Sequence, residues 1–242
     1  MSVRWFTADE RRELVERRDH LVETWPAFML EDPVSHRCWG LLYERFGTLQ
    51  HLLVDDATDE VVAEANCVPV NVDVDDLPER GWDDVLERGT TADEVPTALS
   101  AISIVIAADQ RGQGLSSRCL ERMREGASEH GYPHLVAPVR PSWKARYPLV
   151  DIDRYVEWRT PEGLPFDPWL RVHGRAGAEM VSVCHESMTI PGSVADWEQW
   201  AGMRFPDSGD YVVPGALTLV SIDRDADLGT YVEPNVWMRH TL

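Results

Sequence analysis

The chain has 242 residues, of which 43% are hydrophobic and 27% are charged, and its formal net charge is −19. This length lies near the upper limit of one hydrophobic core and predicts a single elaborated domain over residues 1–242. The acidic balance disfavours nucleic acid as a partner, because a phosphate backbone needs a basic surface and the Lys and Arg residues do not cluster.

Two helices are predicted at the start of the chain. Thr7 and Glu10 have the spacing of a capping box, in which each side chain satisfies a free backbone N–H at a helix start. This helix should end at Pro26, since proline interrupts a helix. Ser35 is predicted to cap the second helix, and Gly47 suits the position just past its end.

Two strands are predicted next, over residues 49–54 and 61–70. In the second strand, alternation places Glu64 and Asn66 on one face and small apolar residues on the other. A carboxylate on such a strand is explained either by a structural ion pair or by a functional role.

Residues 71–95 form an acidic segment, which we interpret as an insertion into the domain. Trp82, Val85 and Leu86 predict one short amphipathic helix within it. A charge run of this kind is typical of a solvated face, and its alternative role is to attract an amine.

The stretch Ile102–Glu129 is predicted to form a buried strand, a glycine loop and an amphipathic helix. Gly112 and Gly114 permit positive φ angles and a close approach of a ligand to the backbone. The first turn of the following helix has free N–H groups at the positive end of the helix dipole. This arrangement favours the binding of a phosphate group.

Three kinds of phosphate site were compared with this loop. A dinucleotide fingerprint needs a third glycine where Ser117 stands, and a Walker loop needs a lysine that the loop lacks. The remaining interpretation is the pyrophosphate of coenzyme A. The loop resembles the Arg/Gln-x-x-Gly-x-Gly/Ala motif of the GNAT superfamily of acyl-CoA-dependent N-acetyltransferases through Arg111-Gly112-Gln113-Gly114-Leu115-Ser116, with Ser116 where the family usually has Gly or Ala.

The resemblance implies an α/β (α+β) fold with a mixed, mostly antiparallel central sheet, whose fourth and fifth strands splay apart and which helices flank. Pro138, in a predicted strand over residues 135–139, gives the splaying a physical cause because proline cannot donate to a neighbouring strand. The resemblance also implies acetyl-CoA as co-substrate, without a metal, and a small-molecule primary amine as acceptor. The implied cofactor-binding residues are Ile104, Val105, Ile106, Arg111, Gly112, Gln113, Gly114, Leu115, Ser116 and Ser117.

The C-terminal part, residues 151–242, is predicted to complete the acceptor side. Residues 155–158 fit either a strand or a helix, and Asp167 and Pro168 mark the start of a helix. Further along, strands are predicted over residues 181–190, 216–222 and 236–240, and a capped helix over residues 193–201.

By order of elements, Tyr147 matches the family's tyrosine that protonates the departing thiolate, with Tyr155 as the competing choice and a merely packed ring as the alternative. Glu64, Glu186, His185 and Glu233 are candidates for the base that deprotonates the amine. We select Glu233, although an exposed loop glutamate is the alternative explanation for it. For the oxyanion we expect a backbone N–H of Val105 or Ile106.

The four cysteines are widely separated and show no C-x-x-C spacing. The sequence also shows no leader and no long apolar run. We therefore expect a cytoplasmic protein without a membrane partner. A homodimer is left open. The alternative function is a catalytically inactive acyl-CoA-binding sensor or structural protein.

Overall fold

The computed structural model describes residues 2–22 and 24–242. Its strands are β1 (Val3–Thr7), β2 (Gln50–Asp55), β3 (Val61–Val70), β4 (Ala98–Ile106), β5 (His134–Val139), β6 (Glu179–Gly192), β7 (Gly209–Tyr211), β8 (Val220–Asp223) and β9 (Leu228–Thr241). Its α-helices are α1 (Asp19–Val22), α2 (Pro33–Arg45), α3 (Gly81–Thr91), α4 (Leu115–Glu129), α5 (Ile152–Val156), α6 (Pro168–Arg175) and α7 (Val194–Ala201).

The strands form one sheet in the order β1-β2-β3-β4-β5-β9-β8-β7, and β6 also pairs with β9. Every pairing among the described strands is antiparallel except that of β4 with β5. The predicted mixed, mostly antiparallel sheet flanked by helices is confirmed.

β4 and β5 separate soon after they meet. Leu99 pairs with Leu135 and Ser100 pairs with Val136, and in the described chain the two strands make no further pairs. Pro138 lies two residues past the last pair and has no N–H to offer a neighbour. The splayed fourth and fifth strands are therefore present, and the sheet is open between residues 101–106 and 137–139.

Helices cover both faces of the sheet. On one face, which we call the α2–α3 face, Leu42 and Val85 share a buried cluster with Trp237 of β9. On the other, the α4 face, Met123 shares a cluster with Leu99 of β4. The predicted stripe of α4 faces this second cluster because its apolar residues recur about once per helical turn.

The acidic segment 71–95 contains the predicted short helix, α3, and this helix packs into the core. Its helix α3 carries Val85 and Leu86, both with 0% of their surface exposed. The acidic residues conceal this role in the sequence because most of them lie on the turns beside the helix or on its outer side. Trp82 is half-buried and reaches the centre of the molecule, where its Nε1 donates to the carbonyl of Ile102 at 2.8 Å.

β9 is longer than predicted, so that Glu233 lies within a strand and not on an exposed loop. The predicted strand over residues 236–240 begins only after Pro234. The partner strand β6 bulges opposite this proline, between Cys184, which pairs with Asn235, and Met188, which pairs with Glu233. A bulge accommodates proline because no ladder hydrogen bond is required at that position.

Smaller differences concern the chain termini and the caps. β1 and β7 were not predicted, and residues 155–158 belong mostly to the short helix α5. Thr7 and Glu10 do bond to each other, the Thr7 N–H donating to Glu10 Oε2 at 2.7 Å, but they lie at the end of β1. α2 is capped by Asp32 in place of Ser35, since Asp32 Oδ1 accepts from the Ser35 N–H at 2.6 Å. No described helix has the length and hydropathy needed to cross a membrane.

Candidate active site

One cleft of about 850 Å³ passes through the opening between β4 and β5. On the α4 face it is lined by the glycine loop that precedes α4, and on the α2–α3 face by side chains of α2, α3 and the chain around α1. Its middle is lined by Ala101–Ile106 of β4 and by Ala137–Val139 of β5. The splayed strands thus connect the loop to a second chamber on the opposite side of the sheet.

The glycine loop has the backbone shape that a bound phosphate requires. Gly112 and Gly114 have φ angles of +80° and +76°, and a Cβ added at either one would meet no atom within 4 Å. Glycine is therefore required at these positions by the positive φ angles and not by a lack of space for a side chain. α4 starts directly after Gly114 without a side-chain cap, which leaves its first N–H groups available to an anion.

Most of the predicted cofactor-binding residues lie on the cleft. Those that line it are Ile104, Val105, Ile106, Arg111, Gly112, Gly114, Leu115 and Ser116. Gln113 and Ser117 are exposed beside it, and the Gln113 side chain donates to Gln110 Oε1 at 3.0 Å.

The register of β3 and β4 shows which backbone groups face the opening. The Ala107 N–H donates to the carbonyl of Val62 at 2.9 Å, and Val105 pairs with Glu64 two residues earlier. Since hydrogen-bonded pairs alternate in an antiparallel ladder, the N–H of Val105 points to β3. The N–H groups of Ile104 and Ile106 point to the opening. Of the two backbone N–H groups expected to stabilise the oxyanion, the register therefore favours that of Ile106 over that of Val105. The N–H of Ile104 is a further candidate.

Glu64 stands on β3 at the chamber on the α2–α3 face. Its side chain is 3% exposed, and both of its oxygens accept from Arg18 Nη1, at 3.0 and 3.3 Å. The Arg18 guanidinium in turn lies 4.6 Å from the centre of the Tyr43 ring. Burial raises the pKa of the Glu64 carboxyl above its usual value, with Arg18 opposing the change.

Glu233 lines the same chamber and has 0% of its surface exposed. Arg140 Nε donates to both of its oxygens, at 2.9 and 3.0 Å. The Tyr231 hydroxyl donates to Oε2 at 2.9 Å and Asn235 Nδ2 to Oε1 at 3.1 Å. With four hydrogen bonds, this carboxylate has little capacity left to accept a further proton.

Comparison with known proteins decides the family. No protein-family model matches the chain. The arginine N-acetyltransferase avaD of Aspergillus versicolor is 32% identical over 247 residues, covering 90% of this chain and 85% of that protein. The chain belongs to the GNAT superfamily of acyl-CoA-dependent N-acetyltransferases.

Solved structures share the fold of this acetyltransferase. The loading GNATL domain of CurA from Lyngbya majuscula matches it with a TM-score of 0.60 and 16% identity, over 99% of this chain and 96% of that one. The GphF GNAT-like decarboxylase in complex with isobutyryl-CoA matches it with a TM-score of 0.54 and 15% identity, over 100% and 99% of the two chains. As a GNAT acetyltransferase, the enzyme has an acyl-CoA as its co-substrate.

Tyr147 packs in a cluster beside the cleft of the acetyltransferase and does not line it. Its ring packs against Tyr155, Trp158 and Phe166, with centroid distances of 6.1, 5.0 and 5.9 Å. Tyr155 is buried and its hydroxyl donates to Asp167 Oδ2 at 2.9 Å. Both predicted tyrosines thus belong to an aromatic cluster beneath β5, and neither is among the residues that line the cleft.

The four candidate bases are separated by the fold. Glu64 and Glu233 line the cleft, whereas His185 and Glu186 are exposed on the outside of β6. His185 contacts Glu79 at 2.6 Å and Asp153 at 3.0 Å, and these bonds to Asp153 and Glu79 raise the pKa of its imidazole.

Other groups that could carry chemistry are buried. All four cysteines are free and buried, and burial raises the pKa of the Cys119 and Cys184 thiols to about 12. Among residues 2–22 and 24–242, no group of three or more His, Cys, Asp or Glu side chains is arranged to hold a metal.

Sequence reasoning missed several residues that line the cleft. Among these are the arginines that hold the two glutamates and four tryptophans: Arg18, Arg140, Trp25, Trp39, Trp82 and Trp169. The available signal is the number of tryptophans, ten in 242 residues. Nothing in the sequence indicates that Arg18 pairs with Glu64.

Proposed function

We propose that the acetyltransferase transfers the acetyl group of acetyl-CoA to the α-amino group of arginine or of a closely similar small amine. The carrying observation is the continuous cleft, in which the unpaired edge of β4 lies between the glycine loop on one side and Glu64 on the other. A donor with an anionic head and a narrow thioester arm fits the first part of this cleft. The chamber beyond it suits an acceptor of modest size.

The acceptor is suggested by the relative from Aspergillus versicolor, which is named as an arginine N-acetyltransferase. Arginine offers two kinds of nitrogen. The guanidinium has a pKa above about 12 and stays protonated in proteins, whereas an α-amine is far less basic and loses its proton more readily. The α-amino nitrogen is therefore the nucleophile that we assign.

The reaction requires a neutral amine, a stabilised oxyanion and a protonated leaving group. The amine nitrogen attacks the thioester carbonyl carbon, so that a C–N bond forms while the C–S bond breaks. The oxygen that gains negative charge accepts from the N–H of Ile104 or Ile106, which face the opening. The thiolate leaves with a proton from solvent, and the products are an N-acetyl amine and free coenzyme A.

Glu64 is our candidate for the base that takes the proton from the amine, directly or through water. It lines the cleft, its pKa is raised by burial, and it accepts three hydrogen bonds, two from Arg18 and one from the Tyr43 hydroxyl at 3.4 Å, against four at Glu233. We therefore propose Glu64 in place of Glu233, whose hydrogen bonds fit a structural role better.

A thiol-release assay tests this function. The enzyme is mixed with acetyl-CoA and with arginine, other amino acids and simple primary amines, and free thiol is followed with time. We expect release with arginine and a product acetylated on the α-nitrogen, identified by NMR. Stabilisation of the protein by acetyl-CoA without release for any amine would instead favour an acyl-CoA-binding protein, since a ligand that binds only the folded state raises its stability.

A further inference from the structure

Three tryptophans from separate segments line the chamber on the α2–α3 face, and we call them the tryptophan wall: Trp25, Trp39 and Trp82. Each is half-buried, so that part of every indole surface faces the cleft. Trp197 and Trp237, by contrast, have 0% of their surface exposed and serve the core. The chamber therefore presents aromatic surface to whatever enters it.

Two rings of the wall, those of Trp39 and Trp82, are held in place before any ligand arrives. The Trp82 ring is anchored by its Nε1, which donates to the carbonyl of Ile102 at 2.8 Å, and its backbone N–H donates to Ser187 Oγ at 2.9 Å. The rings of Trp39 and Trp82 lie nearly parallel, at 18°, with centroids 6.3 Å apart. Anchored aromatic rings lose little freedom on binding, which favours affinity.

The bond from Trp82 to Ile102 also fixes where the wall stands relative to the reaction. Ile102 lies on β4, two residues before Ile104, whose N–H faces the opening. A molecule that rests one end on the wall can therefore present its other end to a thioester held along β4.

The charges of the cleft do not form a site for a cation. Among the described residues, the charged side chains that line it are Arg18, Arg111 and Arg140 against Glu64 and Glu233. Both glutamates are already paired with an arginine of the protein. In spite of the net charge of −19, this lining offers a substrate guanidinium no unpaired carboxylate.

We propose that the tryptophan wall holds the guanidinium of the acceptor by stacking on its flat face, so that the enzyme selects a planar, π-conjugated group and not a positive charge. The inference rests on the proposed function and extends it to the determinant of specificity. Guanidinium groups stack readily on aromatic faces because they are planar, delocalised and weakly hydrated. With this end on the wall, the α-amine is directed toward the opening of the sheet.

The test separates planarity from charge. Arginine is compared with citrulline, which is planar but neutral, and with lysine, which is charged but not planar, at saturating acetyl-CoA. We expect kcat/KM for citrulline to stay within about tenfold of that for arginine, and kcat/KM for lysine to be at least about tenfold lower than that for citrulline. Activity that is retained with lysine and lost with citrulline would overturn the proposal.

Variants of the wall provide a second measurement. A cation–π or stacking contact of about 0.5–2 kcal/mol corresponds to about 2- to 30-fold in binding. Trp39→Leu should raise KM for arginine and for citrulline by this factor, and it should raise KM for lysine by less. Trp5→Leu, in β1 and outside the cleft, is the matched control and should change none of these values. A uniform loss for all three acceptors with Trp39→Leu would contradict selection by the wall.

A binding measurement without turnover tests the tryptophan wall independently of the proposed acetyl transfer. In the presence of coenzyme A, arginine and citrulline should quench the tryptophan fluorescence and lysine should not. If quenching follows planarity while no acceptor releases thiol, the wall stands and the acetyl transfer fails. If thiol is released but lysine and citrulline behave alike in both experiments, the transfer stands and the wall fails.

Discussion

Glu64 and Arg18 form a buried ion pair at the mouth of the acceptor chamber, although 46 residues separate them in the chain. The pair has two effects on the carboxylate. Burial makes the Glu64 carboxyl more basic, and the arginine keeps it ionised and oriented. Such a group is suited to accept a proton at neutral pH.

Replacing Glu64 by Gln should therefore lower kcat by about 10²- to 10⁴-fold, the usual contribution of a general base. Because the pKa of this carboxyl is raised, the wild-type rate should fall as pH drops through a value above the usual glutamate range, and the variant should lose this dependence. Steady-state rates from pH 5 to 9 measure both effects. Glu233→Gln serves for comparison: a larger loss of kcat in that variant than in Glu64→Gln would reverse our assignment.

Tyr147→Phe should change kcat by less than about threefold. The ring packs in the cluster with Trp158 and Phe166 and does not line the cleft, so removal of its hydroxyl leaves the reacting groups untouched. Rates are measured with acetyl-CoA and the best acceptor. A loss of about 100-fold, together with a changed basic limb of the pH profile, would restore Tyr147 as the residue that protonates the thiolate.

Gly114→Ala tests the phosphate loop against a control with the same backbone conformation. Gly131 has a φ of +78°, close to the +76° of Gly114, and a Cβ would meet no atom within 4 Å at either position. Both changes to Ala should cost about 1–2 kcal/mol of stability, since alanine disfavours positive φ. Only Gly114→Ala should weaken coenzyme A binding, by about tenfold or more in calorimetry. Equal affinities for the two variants would remove the loop from the donor site.

The glycine loop could be predicted from the sequence and the chamber on the α2–α3 face could not, because the residues of the loop are neighbours in the chain and those of the chamber are not. The strand, the glycines and α4 are consecutive in the chain, so their pattern predicts both the local structure and the ligand. Pro138 likewise indicates the splay of β5 because its effect is local. Arg18 meets Glu64, and Arg140 meets Glu233, only after the sheet is assembled, and no local pattern encodes these contacts. The exposed loop that the sequence offers as the alternative for Glu233 is absent, since β9 continues through Pro234, and the bulge of β6 that accommodates this proline lies about 50 residues away.

Asp32 and Asp83 should make stability depend on pH. Both are buried, and Asp32 Oδ2 and Asp83 Oδ1 have no hydrogen-bond partner among the described residues. Burial, and then repulsion from Asp32, raises the pKa of Asp83 from 3.8 to about 8. The folded protein thus holds a proton that the unfolded chain releases near pH 4, so the free energy of unfolding should decrease as pH rises from about 4 to about 8 and then level off.

Asp83→Asn should flatten this decrease and stabilise the protein at pH 8.5 by about 1–3 kcal/mol, because a buried carboxylate is removed whose only described hydrogen bond is the one from the Thr189 N–H and which forms no salt bridge in the described chain. Denaturant unfolding at pH 5 and pH 8.5 measures the difference. Asp84→Asn, the next residue of α3, removes the same charge from a half-buried position paired with Arg88 and is the control. If both variants respond alike at the two pH values, Asp83 does not carry the pH dependence.

The glycine loop and the tryptophan wall lie on opposite faces of one sheet and meet only through the gap between β4 and β5. If donor and acceptor bind on these two sides, as we propose, each can enter without the departure of the other. We therefore expect turnover to pass through a state that contains both molecules at once. Reciprocal plots of rate against acceptor, recorded at several fixed donor concentrations, should converge and not run parallel.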